Sequence, residues 1–156
     1  MSTEAGKFVQ SSYDDNNDIA LQIFENYSKV KGYRFKRKVY EDYLADGSME
    51  HPATGERVPV ELEMRAVEFT DEGVLYNGRI FPDLSFLGRK LRLVEKEGEF
   101  LYVIISKDTD MAAVAWSSTI YKDKYRVVKN INTDHRRGND VMYHVPLNDL
   151  SIIKIR

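Results

Sequence analysis

Glu61 and Glu63 stand one residue apart inside a segment whose pattern repeats every second position. Val58, Val60, Leu62 and Met64 alternate with Pro59, Glu61, Glu63 and Arg65, so the spacing predicts a strand over Val58–Val67. Pro59 places the start of that strand at an edge or leaves its first residue unpaired. Carboxylates at i and i+2 on a strand share a face, with Cα atoms about 6–7 Å apart. Like charges at that separation repel unless solvent, a cation or a basic partner compensates. Magnesium is commonly held between one or two carboxylates and a phosphate. Asp46, from a loop, and Glu25, from a helix, would converge on the same face as further oxygen ligands, and Arg65 would offset the acids or contact phosphate. A solvated strand face of alternating Glu and Arg, which also discourages edge pairing, is the plain alternative.

Several basic groups complement these acids. Arg89 and Lys90 follow Asp83 and Gly88, and one of them, Lys90, would neutralise charge developing on a scissile phosphate. Being adjacent on a predicted strand, only one of the two can face a given site. Lys29, Lys31, Arg34, Lys36, Arg37 and Lys38 form one basic cluster; Lys122, Lys124, Arg126, Lys129, Arg136 and Arg137 form another. Arg34, Lys36, Lys38, Arg136 and Arg137 are the candidate nucleic-acid contacts, since guanidinium and ammonium groups bind phosphate. Tyr33, Phe35 and Tyr40 interleave with the first cluster in the manner of a single-strand-binding surface, although at strand spacing the odd-numbered rings suit a core better. The histidines, His51, His135 and His144, show no close zinc spacing. The chain has no phosphate-binding loop, dinucleotide fingerprint, nucleophile elbow or EF-hand loop.

These side chains need a scaffold. Residues 1–17 read as a flexible polar arm, and residues 18–156 as one domain. The spacing predicts a helix from Asp18 to Val30 with Ile19, Ile23 and Phe24 on its apolar face and Gly32 at its end. A strand follows over Tyr33–Tyr43, then a loop or loose hairpin over Ala45–Glu56. Beyond Val67, further strands are predicted over Val74–Ile80 (broken at Asn77-Gly78), Arg89–Val94, Phe100–Ile105, Met111–Ser118, Tyr125–Ile131, Val141–Val145 and Ser151–Ile155. Asn132–Asn139 reads as a polar loop. The fold class is therefore α+β, an N-terminal helix packed on a mixed, mostly antiparallel sheet.

Bulk properties narrow the classes. At 156 residues, 42% hydrophobic and 31% charged, the chain can bury a core without a metal or disulfide staple. It has no cysteine, which excludes thiolate chemistry and thiolate-bound zinc and fits a cytoplasmic protein. No secretory h-region and no membrane-spanning apolar run is visible, so no membrane partner is expected. The formal net charge of −2 carries no general signature of nucleic-acid affinity.

The order of a helix with an acid (Glu25), a strand, a loop Asp (Asp46) and a strand with Glu61-Leu62-Glu63 resembles the PD-(D/E)XK superfamily of restriction-endonuclease-like nucleases. The resemblance covers residues 18–116. It implies a restriction-endonuclease-like sheet, Asp46, Glu61 and Glu25 around Mg²⁺ or Mn²⁺, and metal-dependent hydrolysis of DNA. Glu63 occupies the place usually filled by lysine, and Arg65 or Lys90 would supply the missing positive charge. A small domain that cuts two strands would act as a homodimer. The alternatives are a non-catalytic nucleic-acid-binding or phage-type accessory protein and a protein-interaction domain.

Overall fold

The computed structural model describes residues 10–38, 45–132 and 137–156. Helix α1 (Gln10–Val30) opens the chain. It begins eight residues before the predicted Asp18, so residues 10–17 of the predicted arm are helical; residues 1–9 lie outside the described residues. Asp and Asn are weak helix formers, yet the run Asp14–Asp18 is carried as helix by the packing that follows it. Ala20, Leu21 and Phe24 are buried, with Tyr27 half-buried beside them, the spacing of one helical face. Gly32, at φ +84°, ends the helix: its N–H donates to Lys29 O at 3.1 Å, and Tyr33 N–H donates to Ser28 O at 2.9 Å. This double closure satisfies carbonyls left open at the helix end.

Three strands then run antiparallel: β1 (Arg34–Arg37), β2 (Gly47–Glu50) and β3 (Arg57–Arg65). β2 and the start of β3 make the segment Ala45–Glu56 a hairpin, the second of the two readings given to it. A ribbon of β4 (Glu68–Thr70), β5 (Gly73–Tyr76) and β6 (Arg79–Phe81) follows. Asn77 and Gly78, both at positive φ, make its second turn, as the dipeptide predicts. Next come β7 (Asp83–Leu87), a 3₁₀ turn (Gly88–Leu91) and α2 (Arg92–Glu97). The strand predicted over Arg89–Val94 is thus helical. Of its two leucines, Leu93 is buried while Leu91 is exposed.

The remaining elements are β8 (Leu101–Ser106), β9 (Met111–Trp116), α3 (Ser117–Ile120), β10 (Arg126–Asn132), β11 (Arg137–Pro146) and β12 (Ser151–Lys154). β11 begins inside the predicted loop Asn132–Asn139. The main sheet has the order β1-β2-β3-β8-β9-β12, with β3 parallel to β8 and its other neighbours antiparallel. β10, β11 and β7 form a second sheet, and β4, β5 and β6 a third. The architecture is α+β, with an N-terminal helix on a mixed, mostly antiparallel sheet. No helix among the described residues is long and apolar enough to cross a membrane.

The main sheet is covered on both faces. Val60, Leu62, Val103 and Ile105 pack against Ala20, Leu21 and Phe24 of α1. Tyr102, Ile104 and Ala113 face the opposite way, into a core shared with Leu84 and Phe86 of β7 and Tyr143 and Val145 of β11. Burying each large side chain of these layers contributes roughly 1.5–3 kcal/mol. Pro59 falls where β3 pairs only with β2, since the β8 ladder starts at Val60, in line with its expected place at a half-paired strand start.

Gly47 fixes how closely β1 and β2 approach. A Cβ there would overlap the Phe35 ring and the Lys36 carbonyl oxygen, and the Phe35 ring is itself held edge-on against Phe24 at 5.2 Å. Gly47→Ala is therefore expected to destabilise the protein by roughly 1–3 kcal/mol in urea unfolding. An unchanged midpoint would mean that the first hairpin is loose enough to absorb a methyl group.

Candidate functional site

β2 stops at Gly47, where it pairs with Val60, so β3 runs on past Val60 without that neighbour. The Asp46 side chain takes the place of the missing strand: Leu62 N–H donates to its Oδ2 at 2.8 Å. The segment carrying Asp46 is anchored by its own backbone. Lys38 N–H donates to Asp46 O at 3.0 Å, and Ala45 N–H donates to Glu97 Oε2 of α2 at 2.8 Å. Glu97 also holds Arg57, at 3.2 Å, which ties α2 to the start of β3.

Glu61 lies on the β3 face turned away from α1, beside Tyr102 in the parallel register of β8. It is only 3% exposed. The alternative of a solvated strand face is therefore overturned at this position: the polar face of β3 meets a second packed layer. Lys90 Nζ approaches Glu61 Oε2 at 2.5 Å, an ion pair outside hydrogen-bond angles, since the same oxygen has no hydrogen-bond partner. Burial pushes the Glu61 carboxyl up to about 8, aided by the neighbouring Asp46 carboxylate and opposed by Lys90.

Lys90 reaches Glu61 from the 3₁₀ turn after β7. The strand before that turn is held by Tyr121, whose hydroxyl donates to Leu87 O at 2.9 Å. Because the turn is not a strand, Arg89 and Lys90 both line the cleft, against the expectation that only one could. The cleft has a volume of about 310 Å³ and is bounded by Asn16, Asn17 and Ala20 of α1, by Asp46, by Glu61 and Glu63, and by Arg89, Lys90 and Tyr102.

Glu63 shares the cleft but differs in its partners. Tyr102 OH donates to Glu63 Oε1 at 3.0 Å, and the Arg65 guanidinium binds both its oxygens. Burial and the Glu63 charge hold the Tyr102 hydroxyl well above its usual range, so it stays a donor. Arg65 thus offsets Glu63 and not Glu61. Among the described residues no group of three acidic or histidine side chains could hold a metal ion. Only Asp46 and Glu61 of the expected ligands face each other.

Glu25 does not join them. It pairs with Arg37 at 3.6 Å and is absent from the cleft lining. Nine residues of helix separate it from Asn16, roughly 13 Å along the axis. Asn16, Asn17 and Tyr102 were not recognised in the sequence as cleft residues. The signal for Tyr102 was a hydroxyl-bearing ring among Leu101, Val103, Ile104 and Ile105 of β8, which needs a buried partner.

The basic clusters fall on different sheets. Arg34 and Lys36 are exposed on β1, at one edge of the main sheet, with Lys36 paired to Glu50 at 3.0 Å; Lys38 follows them. Lys129 lies on β10 of the second sheet. Arg137 opens β11, its side chain outside what the structure describes; Arg136 and His135 lie outside the described residues altogether. Comparison of the chain with protein-family models, curated proteins and solved structures gives no match.

The Glu61 proton has a consequence for stability. In the unfolded chain it leaves near 4.5; in the folded protein it is kept to about 8. Between those values the folded state binds more protons, so this group lowers stability as pH rises through the window, and its effect levels off above about 8. Glu61→Gln removes the penalty. Relative to wild type, the variant is expected to gain roughly a few kcal/mol between about pH 5 and pH 8 in thermal or urea unfolding. Parallel pH profiles for the two proteins would contradict the burial argument.

Proposed function

We propose that the cleft binds a hard divalent cation, Mg²⁺ or Mn²⁺, and hydrolyses a phosphodiester bond of nucleic acid, with DNA as the first candidate substrate. The observation that carries this reading is the Glu61 carboxyl: buried, set against Asp46, with one oxygen lacking a hydrogen bond. Two abutting acids away from water are relieved by a retained proton or by positive charge. Lys90 supplies one unit of it, and a divalent ion would supply two. Two carboxylates suffice for Mg²⁺, which keeps several waters and takes phosphate oxygens as further ligands. Asp46 and Glu61 would hold the cation, which when bound polarises the phosphate and lowers the pKa of a coordinated water.

The chain's own residues then have distinct parts. Lys90, on the flexible stem of a lysine, lies against Glu61, where it would offset the carboxylate once its proton is lost, and would contact phosphate charge if a cation were held there. Arg89, on the same turn, offers planar donors to a phosphate oxygen. Glu63, in the place of the family's lysine, is occupied by Tyr102 and Arg65, so the role of that lysine passes to Lys90. The order of α1, β1, Asp46 and β3 supports the resemblance to restriction-endonuclease-like nucleases. Arg34, Lys38 and Arg137 are the proposed backbone contacts.

A second reading has its own support. The Lys90–Glu61 pair already balances part of the charge, and no third acidic ligand joins among the described residues, which suits a non-catalytic nucleic-acid-binding domain.

Cleavage of supercoiled plasmid and of single-stranded DNA, with Mg²⁺, Mn²⁺ or chelator, separates the two readings. Wild type is expected to cut only with a cation. Glu61→Ala and Asp46→Ala, purified in parallel, should lose the activity, and Lys90→Ala should retain about 1% or less. Glu25→Ala should cut normally. Wild type inert with both ions, or Glu61→Ala cutting as well as wild type, would sink the hydrolase reading. Steeply salt-dependent DNA binding without cleavage would then favour the binding domain.

A further inference from the structure

A larger cavity, about 770 Å³, opens beside the acidic cleft where the three sheets meet. One wall is a face of the β4–β6 ribbon. Tyr76 lies two residues from Val74 on β5, and Phe81 of β6 is the register partner of Val74, so both rings project from that face. Tyr76 is 52% exposed and Phe81 41%. Two large rings left open on one wall of a cavity have a face free for a ligand. Polar side chains line the same cavity: Asp83 and Ser85 of β7, His144 of β11 and Lys129 of β10, with Glu63 and Arg65 of β3. Ser85 and His144 are register partners, and His144 Nε2 is buried with no hydrogen-bond partner. Glu63 lines this cavity and the acidic cleft alike, so the two adjoin.

We infer that this cavity seats one unpaired nucleotide. Aromatic faces stack on bases irrespective of sequence. The Asp83 carboxylate, Ser85 hydroxyl and His144 imidazole of the lining present acceptors and donors suited to a base edge, and Lys129 supplies charge for a phosphate. A base-paired nucleotide has neither its faces nor its edge free, so the occupant is single-stranded or extruded from a duplex. The volume lies within the range of small-molecule sites. Assigning this nucleotide to the strand that is cut in the cleft rests on the proposed phosphodiester activity; nucleotide binding itself does not.

The test is fluorescence anisotropy of a fluorescein-labelled single-stranded oligodeoxynucleotide with the full chain, in chelator so that nothing is cut. Phe81→Ala and Tyr76→Ala are expected to weaken binding by about 5- to 100-fold each, the range for loss of one base stack. Phe81→Trp should restore it. Binding is read apart from cleavage: wild type that shows ring-dependent binding but no cleavage with Mg²⁺ or Mn²⁺ removes the hydrolase and leaves the subsite. Competition by unlabelled deoxyadenosine monophosphate identifies the source. Displacement at equal concentration assigns the cavity to a free nucleotide; failure to displace assigns it to a strand. Both alanine variants binding strand and mononucleotide as wild type does, or wild type binding neither, would overturn the inference.

Discussion

A carboxyl group buried between two packed layers organises this protein. Glu61 is withdrawn from water on the inner face of β3, and its surroundings compensate in stages. It keeps its proton far above the usual carboxylate range because burial and Asp46 both disfavour the anion. Lys90 is drawn to it from a turn some thirty residues further along the chain. The cleft itself exists because β2 ends early. Had β2 continued past Gly47, its backbone would have taken the Leu62 N–H that now goes to the Asp46 carboxylate. One acid therefore replaces a strand and, in the same position, raises the proton affinity of the other.

Glu63 shows what a settled acid looks like two residues away. It lies on the same strand and the same face, yet a tyrosine hydroxyl and a guanidinium satisfy both its oxygens. The difference is one of partners. Tyr102 donates because burial keeps its hydroxyl protonated, and Arg65 is fixed two positions along on the same face. Glu61 has no such pair: its neighbours are another acid and a single lysine on a flexible stem. Electrostatic tension is thus concentrated at one of two acids that alternation alone cannot tell apart.

The i, i+2 pattern correctly placed Glu61, Glu63 and Arg65 on one face of a strand, because the β pleat leaves no other arrangement. It could not say what that face would meet. A polar face against water and one against a second sheet alternate identically, and the covering residues, Phe86 and Tyr143, come from strands 25 or more positions away. Asn77-Gly78 and Gly32 were legible because each sets a local backbone angle. The start of α1 was not, since its Asp and Asn residues favour caps over helix interiors. Lys90 was found by residue type while its element was misassigned. Glu25 was misplaced because an acid on the right helix can still lie on the wrong turn.

The ion pair between Lys90 and Glu61 also bears on how an acidic site survives without its proposed cation. Two bare carboxylates in a covered cleft would strain the fold, and a permanent hydrogen-bonded pair of the Glu63–Arg65 kind would leave no oxygen for a ligand. A proton on Glu61 and a lysine on a short turn avoid both extremes, because each can leave when a stronger charge enters. Lys90 approaches Glu61 at 2.5 Å from a flexible stem, so its displacement forfeits the attraction of a single ion pair. On the proposed reading, Asp46 and Glu61 would hold the cation, and the ammonium that stabilises the free cleft would lie within reach of a phosphate bound beside them. Holding charge in reserve and using it would then fall to one side chain.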